Sequence, residues 1–407
     1  MLDDSGQTPW EDFAHTGPGT LAGRFLRQFW QPVAMASELG VGDVRPLRIM
    51  SEDYTLYRGT DGVAHVVEAR CPHRGTLLSV GWVDQDCLRC VYHGWKFAGD
   101  GQCVETPGAT HYAAGTRIAS YPTQEFLGLI FAYLGTGEPP VFPPFPDFTG
   151  GGITETRVWK MGCNYFQSYE NDFDEWHVAW THRTGGMHTA PKLSEKDFEE
   201  TEWGVLKRSV KVDGSPRVTA YFMPHFLRLV IPSPNNITYQ GAGPAYRDTY
   251  LFHTPIDDES HLFFASQEVR LSDDERDSYL AVAKADLELR QRVRPIDDIG
   301  EEILAGRAVL RDYLDHPELA ALEDYLAQVG QGRIADRTSE HLVRTDVAVV
   351  LLRRIFSREL RAIAEGRDTK NWAQLTEMPG MDIIDQILQR SGTGVVGAVA
   401  AALGASA

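Results

Sequence analysis

Cys71, His73, Cys90 and His93 are spaced C-x-H-x16-C-x2-H, so two short loops each offer one thiolate and one imidazole. A 2Fe-2S cluster with one iron on two sulfurs and the other on two nitrogens needs that set. Zinc could take the same four side chains, but its sites pair like with like, C-x2–4-C and H-x3–5-H, whereas each loop here mixes the two types. Gly75 and Gly94 sit just beyond the ligand histidines. Glycine there permits tight loops whose backbone N–H groups face cluster sulfurs and help set the potential. A second group, Asp174, His177 and His182, reads D-x2-H-x4-H. Two histidines and a carboxylate on one face of Fe(II) leave positions open for dioxygen. Asp174, three residues before His177, is suited to accept a free imidazole N–H and fix its tautomer. Residues five apart lie about 140° around an ideal helix, so the two rings converge only if the helix bends or ends between them. Spacing does not choose the carboxylate ligand: Asp324, Asp336 and Asp346 are candidates. Asp336, next to Arg337, suits a salt bridge, and Asp346 opens an apolar helical run, where a carboxylate favours the helix dipole. His188, His225, His253 and His261 read as hydrogen-bonded core or rim residues.

The elements that must carry these groups read as two domains. Residues 18–38 show a short helical pattern broken at Pro32. Leu47–Tyr57 and Val63–Val67 are strand-like and flank the hairpin signal Arg58–Gly62, which delivers the chain to Cys71. Gly99 and Gly101 mark a second hairpin, and Phe126–Leu134 a last apolar strand. Gly135–Gly152 is a Pro/Gly linker. Beyond it Met161–His182 reads as one helix, strands are expected at Val218–Phe222, Leu227–Ile231, Thr249–His253 and Leu262–Val269, and helices dominate from Asp273. The expected organisation is an N-terminal helical segment (1–40), an all-β cluster domain (41–135), a linker (136–152), an antiparallel-sheet α+β catalytic domain (153–390) and a tail (391–407).

Composition narrows the class. With 407 residues, 43% hydrophobic and 24% charged, the chain has ample material for cores. A net charge of −18 argues against nucleic acid or an anionic membrane as partner. Five cysteines leave Cys87, Cys103 and Cys163 beside the cluster pair, an odd remainder that fits a reducing cytoplasm. The acidic N-terminus has no apolar h-region, and the Gly-rich tail is too short to span a bilayer.

CPHRG followed by CVYHGWKF resembles the Rieske domain of ring-hydroxylating (Rieske non-haem iron) oxygenases. It departs from respiratory Rieske proteins, whose extra disulfide cysteines fall at Thr76 and Tyr92 here, which implies a lower-potential cluster. By the same resemblance Asn164, Gln167, Glu170, Asp174, His177 and His182 match the family's Asn, Gln, Glu, bridging Asp and two iron-binding His. Glu323–Arg354 resembles the C-terminal signature of phthalate-dioxygenase-type enzymes, which assigns the third iron ligand to Asp324; Glu323 stands where Gln is common. The resemblance implies a helix-grip catalytic domain, a 2Fe-2S cluster, a mononuclear Fe(II) and a head-to-tail homotrimer. It also implies oxygenation of an aromatic carboxylate or aryl ether by O2, or O-demethylation of a methoxylated aromatic. Asp174 would link one subunit's cluster to the next subunit's iron. No dinucleotide fingerprint follows a strand and no plant-type ferredoxin set occurs, so a separate reductase, with or without a ferredoxin, is required. A pure electron carrier would leave the second motif unexplained, and a zinc-binding interaction module would be colourless.

Overall fold

The computed structural model describes residues 8–142, 152–184, 198–210, 216–232, 246–270 and 273–372. Most of the linker, His188 and the tail from 391 lie outside the described residues. The chain divides into two units: Met1–Ala14 with Pro143–His253 and Glu259–Ala407, and His15–Phe142 with Thr254–Asp258.

In the smaller unit α1 (Leu21–Leu26) precedes β1 (Trp30–Met35), β2 (Val44–Ile49), β3 (Glu52–Arg58), β4 (Ala64–Glu68), β5 (Trp82–Asp84), β6 (Cys87–Arg89), β7 (Lys96–Phe97), β8 (Cys103–Glu105), β9 (Ser120–Tyr121), β10 (Thr123–Phe126) and β11 (Leu129–Tyr133). They pair as β1-β11-β10, β2-β3-β4-β9 and β5-β6-β7-β8. Three expectations change here. The helical pattern stops at Leu26, and Pro32 lies inside β1, where the register with β11 shifts between Pro32 and Ala34. Proline has no N–H to give the ladder, so a bulge is where a strand tolerates it. The run Leu47–Tyr57 is two strands rather than one, because Met50 and Ser51 both adopt left-handed φ, 49° and 63°, and close a two-residue hairpin. Leu127 and Gly128, at φ 51° and 71°, split Phe126–Leu134 in the same way.

In the larger unit β12 (Ile153–Met161) precedes α2 (Tyr165–Phe173) and α3 (Glu175–Thr181), then β13 (Phe198–Glu200), β14 (Gly204–Val210), β15 (Pro216–Phe222), β16 (Phe226–Pro232), β17 (Tyr246–Pro255) and β18 (His261–Arg270). Helices α4 (Asp273–Arg290), α5 (Ile296–Leu304), α6 (Leu319–Val329) and α7 (Val347–Ala364) follow. The strands make one seven-stranded sheet, β12-β18-β17-β16-β15-β14-β13, so successive strands from β13 to β18 are neighbours and β12 joins beside β18. Helix α2 lies on this sheet through Phe173 against Tyr221 (ring centroids 3.7 Å apart), and Phe166 meets Phe356 of α7 edge-on at 4.8 Å. Helix α6 buries the stripe Leu322, Tyr325 and Val329 with Ile296 and Ile299 of α5. Gly300 makes this fit, since a Cβ there would sit 2.3 Å from the Tyr325 ring. Fold class is as expected, α+β with an all-β domain ahead of an antiparallel-sheet domain.

Candidate metal centres

The two cluster loops repeat one construction. Cys71 N–H donates to the Thr76 carbonyl at 2.8 Å and Gly75 N–H to the Cys71 carbonyl at 2.8 Å; Cys90 N–H donates to Trp95 and Gly94 N–H to Cys90 at 2.8 and 3.0 Å. In each loop the residue before the cysteine, Arg70 or Arg89, donates to the carbonyl of the closing glycine at 2.8 and 2.7 Å. Gly75 and Gly94 have φ 74° and 72°, a region that disfavours any other residue. The duplicated R-C-x3-G pattern is visible in the sequence once sought. Cys71 and Cys90 point into the core, each 2% exposed, while His73 and His93 face outward with ring centroids 4.4 Å apart. His73 also stacks flat on Trp95 at 4.7 Å, and Arg74 of the first loop lies 5.3 Å from the Tyr92 ring of the second. Burial, with the neighbouring Cys90 adding to it, pushes the Cys71 thiol up to about 11. A thiol placed as Cys71 is becomes a thiolate only against a positive metal, and the four donors fit a 2Fe-2S cluster.

The single helix expected over Met161–His182 is instead a strand end and two helices. Asp174 takes an extended conformation, closes α2 and caps α3, its carboxylate accepting from Trp176 N–H at 2.8 Å. An Asp N-cap satisfies helix-end donors that would otherwise be orphaned. His177 therefore sits in the first turn of α3, and His182 is its C-cap, past the last helical residue. The required ending between the histidines exists, and their ring centroids lie 5.5 Å apart.

His177, His182 and Asp324 each offer an atom, all within 4.8 Å of one another, and could hold a metal ion. Asp324 Oδ1 lies 3.4 Å from His182 Nε2 and 3.9 Å from His177 Nε2. Both rings are oriented from their other nitrogen. His177 Nδ1 bonds the main-chain carbonyl of Asp174, so the acceptor is that carbonyl and not the carboxylate expected from sequence. His182 Nδ1 meets Glu323 Oε2 at 3.1 Å, and the other oxygen of Glu323 accepts from the Thr184 hydroxyl. With Nδ1 protonated on both rings, both Nε2 lone pairs are free for a metal, so the donor set fits Fe(II). Burial opposes a charged His182, but hydrogen bonds and charge from Asp324 and then Glu323 outweigh it and raise its pKa. Burial likewise opposes the Asp324 carboxylate, yet the bond from His182, the nearby rings and Asn171 hold it below its ordinary value.

Asn171 was not singled out by sequence reasoning. Its amide lies 3.2 Å from Asp324 Oδ1 and 3.4 Å from His177 Nε2. Its signal was only adjacency, one residue after Glu170. Asn164, Gln167 and Glu170 are further away in role: they clip the end of α6 and the chain after it to α2. Asn164 caps α2 and its N–H donates to the Arg333 carbonyl at 2.7 Å. Gln167 donates to the Gln328 and Gly332 carbonyls, each at 3.0 Å, and accepts from Ala335 N–H. Glu170 pairs with Arg337 at 2.8 Å and Arg353 at 2.5 Å. Asp336 caps a short turn through Thr338, and Asp346 precedes α7, its carboxylate accepting from Val343 N–H; neither reaches the histidines. His253 bonds Asp172 at 2.7 Å and His261 the Cys163 carbonyl at 2.8 Å, as core residues do.

A family model for the Rieske [2Fe-2S] domain matches residues 29–122. The 5,5'-dehydrodivanillate O-demethylase oxygenase subunit of Sphingobium sp. (strain NBRC 103272 / SYK-6) is 29% identical over 88% of this chain and 81% of its own length. The phenoxybenzoate dioxygenase subunit alpha of Ectopseudomonas oleovorans is 28% identical over 86% and 84%. The terminal oxygenase of carbazole 1,9a-dioxygenase from Novosphingobium sp. KA1 superimposes with TM-score 0.59 over 88% of this chain and 96% of that one, at 23% identity. The chain thus carries a Rieske [2Fe-2S] domain and is homologous to the alpha (oxygenase) subunits of Rieske oxygenases. Among the described residues no helix is long and apolar enough to cross a membrane.

Proposed function

We propose that this protein is the cytoplasmic oxygenase component of a multicomponent Rieske system that mono- or dioxygenates an aromatic carboxylate or aryl ether. Cys71, His73, Cys90 and His93 hold the cluster, and His177, His182 and Asp324 hold iron. The observation that carries this reading is the convergence of those three side chains within 4.8 Å in a chain that also bears the cluster loops. When bound, the cluster relays single electrons and the iron activates dioxygen for insertion into the substrate. The chain's own residues prepare that chemistry. Asp174 and Glu323 keep the Nδ1 protons of His177 and His182 in place, and Asn171 holds the Asp324 oxygen toward the rings. The free carboxylate oxygen of Asp174 serves contact with a neighbouring subunit in a head-to-tail homotrimer, a ring that closes by symmetry. Electrons come from an NAD(P)H-dependent reductase, directly or through a ferredoxin.

A second reading, O-demethylation of a methoxylated aromatic acid, is favoured by the similarity to a demethylase oxygenase subunit. Here a methyl C–H is hydroxylated and the product loses formaldehyde. One experiment separates the readings: substituted benzoates, phthalates and methoxyarenes are offered with O2 and a surrogate reductase. Ring-hydroxylated product without formaldehyde supports the first, and formaldehyde equimolar with phenol supports the second. No substrate-dependent O2 uptake across the panel would refute both.

A further inference from the structure

Lys207 is one of the most enclosed side chains of the larger unit, 1% exposed, in ion-pair contact with Glu175, which is 6% exposed. Its Nζ also reaches the Tyr221 hydroxyl at 2.9 Å, and that hydroxyl donates to the main-chain carbonyl of Asp172. The Asp172 carboxylate in turn meets His253 Nε2 at 2.7 Å. The alternation along each strand and the registers Lys207 with Thr219, Tyr221 with Leu227 and Leu227 with Leu251 put Lys207, Tyr221 and His253 on one face of the sheet. All three act on the same few residues: Asp172 in the last turn of α2 and Glu175, the first residue of α3, on either side of the Asp174 break.

A buried ion pair is poor value as a stabiliser, because apolar replacements of similar size are often as stable or more so. What this one supplies is a fixed place for the break. The Asp172 carbonyl is left without an intrahelical donor where α2 ends, and Tyr221 satisfies it. Glu175 lies two residues before His177. We infer that Lys207 and Tyr221 are positioning residues that set the α2–α3 break from the sheet and thereby aim His177 at Asp324. This rests on the reading of His177, His182 and Asp324 as an iron site.

The test uses the full chain with its cluster intact and the second site stripped by chelation, titrated with Fe(II), then treated with nitric oxide for electron paramagnetic resonance. Tyr221→Phe removes only the hydroxyl. Lys207→Met combined with Glu175→Leu removes both charges, so no unpaired charge is left buried. Each is expected to weaken Fe(II) binding about tenfold, as loss of a ligand-orienting partner does, and to broaden the nitrosyl signal, with cluster absorbance unchanged. Wild-type Fe(II) affinity and line shape in both variants, whatever happens to the melting temperature, would overturn the inference. His177→Ala separates the two levels: if it binds Fe(II) as the wild type does, the iron-site reading itself is wrong.

Discussion

In the cluster loops each cysteine is held by hydrogen bonds to residues four and five positions on, and the whole ligand set lies in one short stretch. At the His177–His182–Asp324 face the controlling contact between His182 and Glu323 spans 141 residues, and α6 is held there by its packing on α5 and by the bonds from Gln167 of α2 to the Gln328 and Gly332 carbonyls. The first arrangement is fixed by local turns, and the second by tertiary packing. Short-range hydrogen bonds survive damage elsewhere in the fold, while a site assembled from separate helices inherits every weakness of their packing. The two centres should therefore fail independently and for different reasons.

The largest expected effect removes a local ligand. Cys90→Ser abolishes the visible absorbance of the cluster while leaving Fe(II) binding at the second site, read by equilibrium dialysis; loss of both would mean that the regions are not independent. Next comes the clip. Glu170→Gln leaves Arg337 and Arg353 facing a neutral amide in a buried setting, and should cost about 3 kcal/mol in urea unfolding and weaken Fe(II) binding with the cluster spectrum intact. A variant that loses stability but binds Fe(II) normally would show that α6 does not depend on this clip.

Acid should also discriminate. Burial, with His253 adding to it, pushes His261 down to about 3 from its ordinary 6.5, so the unfolded chain takes up this proton first. Its stabilising contribution is complete above pH 6.5 and is lost toward pH 3, by up to about 1.4 kcal/mol per pH unit. His261→Asn, which can still donate to the Cys163 carbonyl, should flatten the fall in unfolding free energy between pH 6.5 and 4.5; an unchanged slope would remove His261 as its source. The smallest effect is expected at Glu323→Gln. An amide oxygen can still accept from His182, so Fe(II) affinity should change less than about tenfold. The loss of the carboxylate lowers the His182 pKa, so acid-driven iron release should move to lower pH.

The features legible in the sequence follow the same division. The cluster ligands and the two histidines are local patterns. The necessity of an ending between the histidines followed from helix geometry and is met where α3 stops at Thr181; the further break at Asp174, before both, did not follow, although an Asp before Glu-Trp-His is an ordinary N-cap signal. Asp324 came from family resemblance, and nothing local to Glu323 marks it as the acceptor for His182. Asn171 and the clip by Gln167 and Glu170 depend on packing between distant segments, which no periodicity encodes. In the β unit the hairpins at Met50–Ser51 and Leu127–Gly128 were missed because three of those four left-handed positions lack the usual Gly or Asn.

Two separate iron centres in one chain can be checked by counting metal. Purified, reconstituted wild-type protein should hold about three irons and two acid-labile sulfides, and His177→Ala should lose one iron, no sulfide and none of its cluster absorbance. Zinc in place of iron, or an unchanged iron count in the variant, would rule out two iron centres.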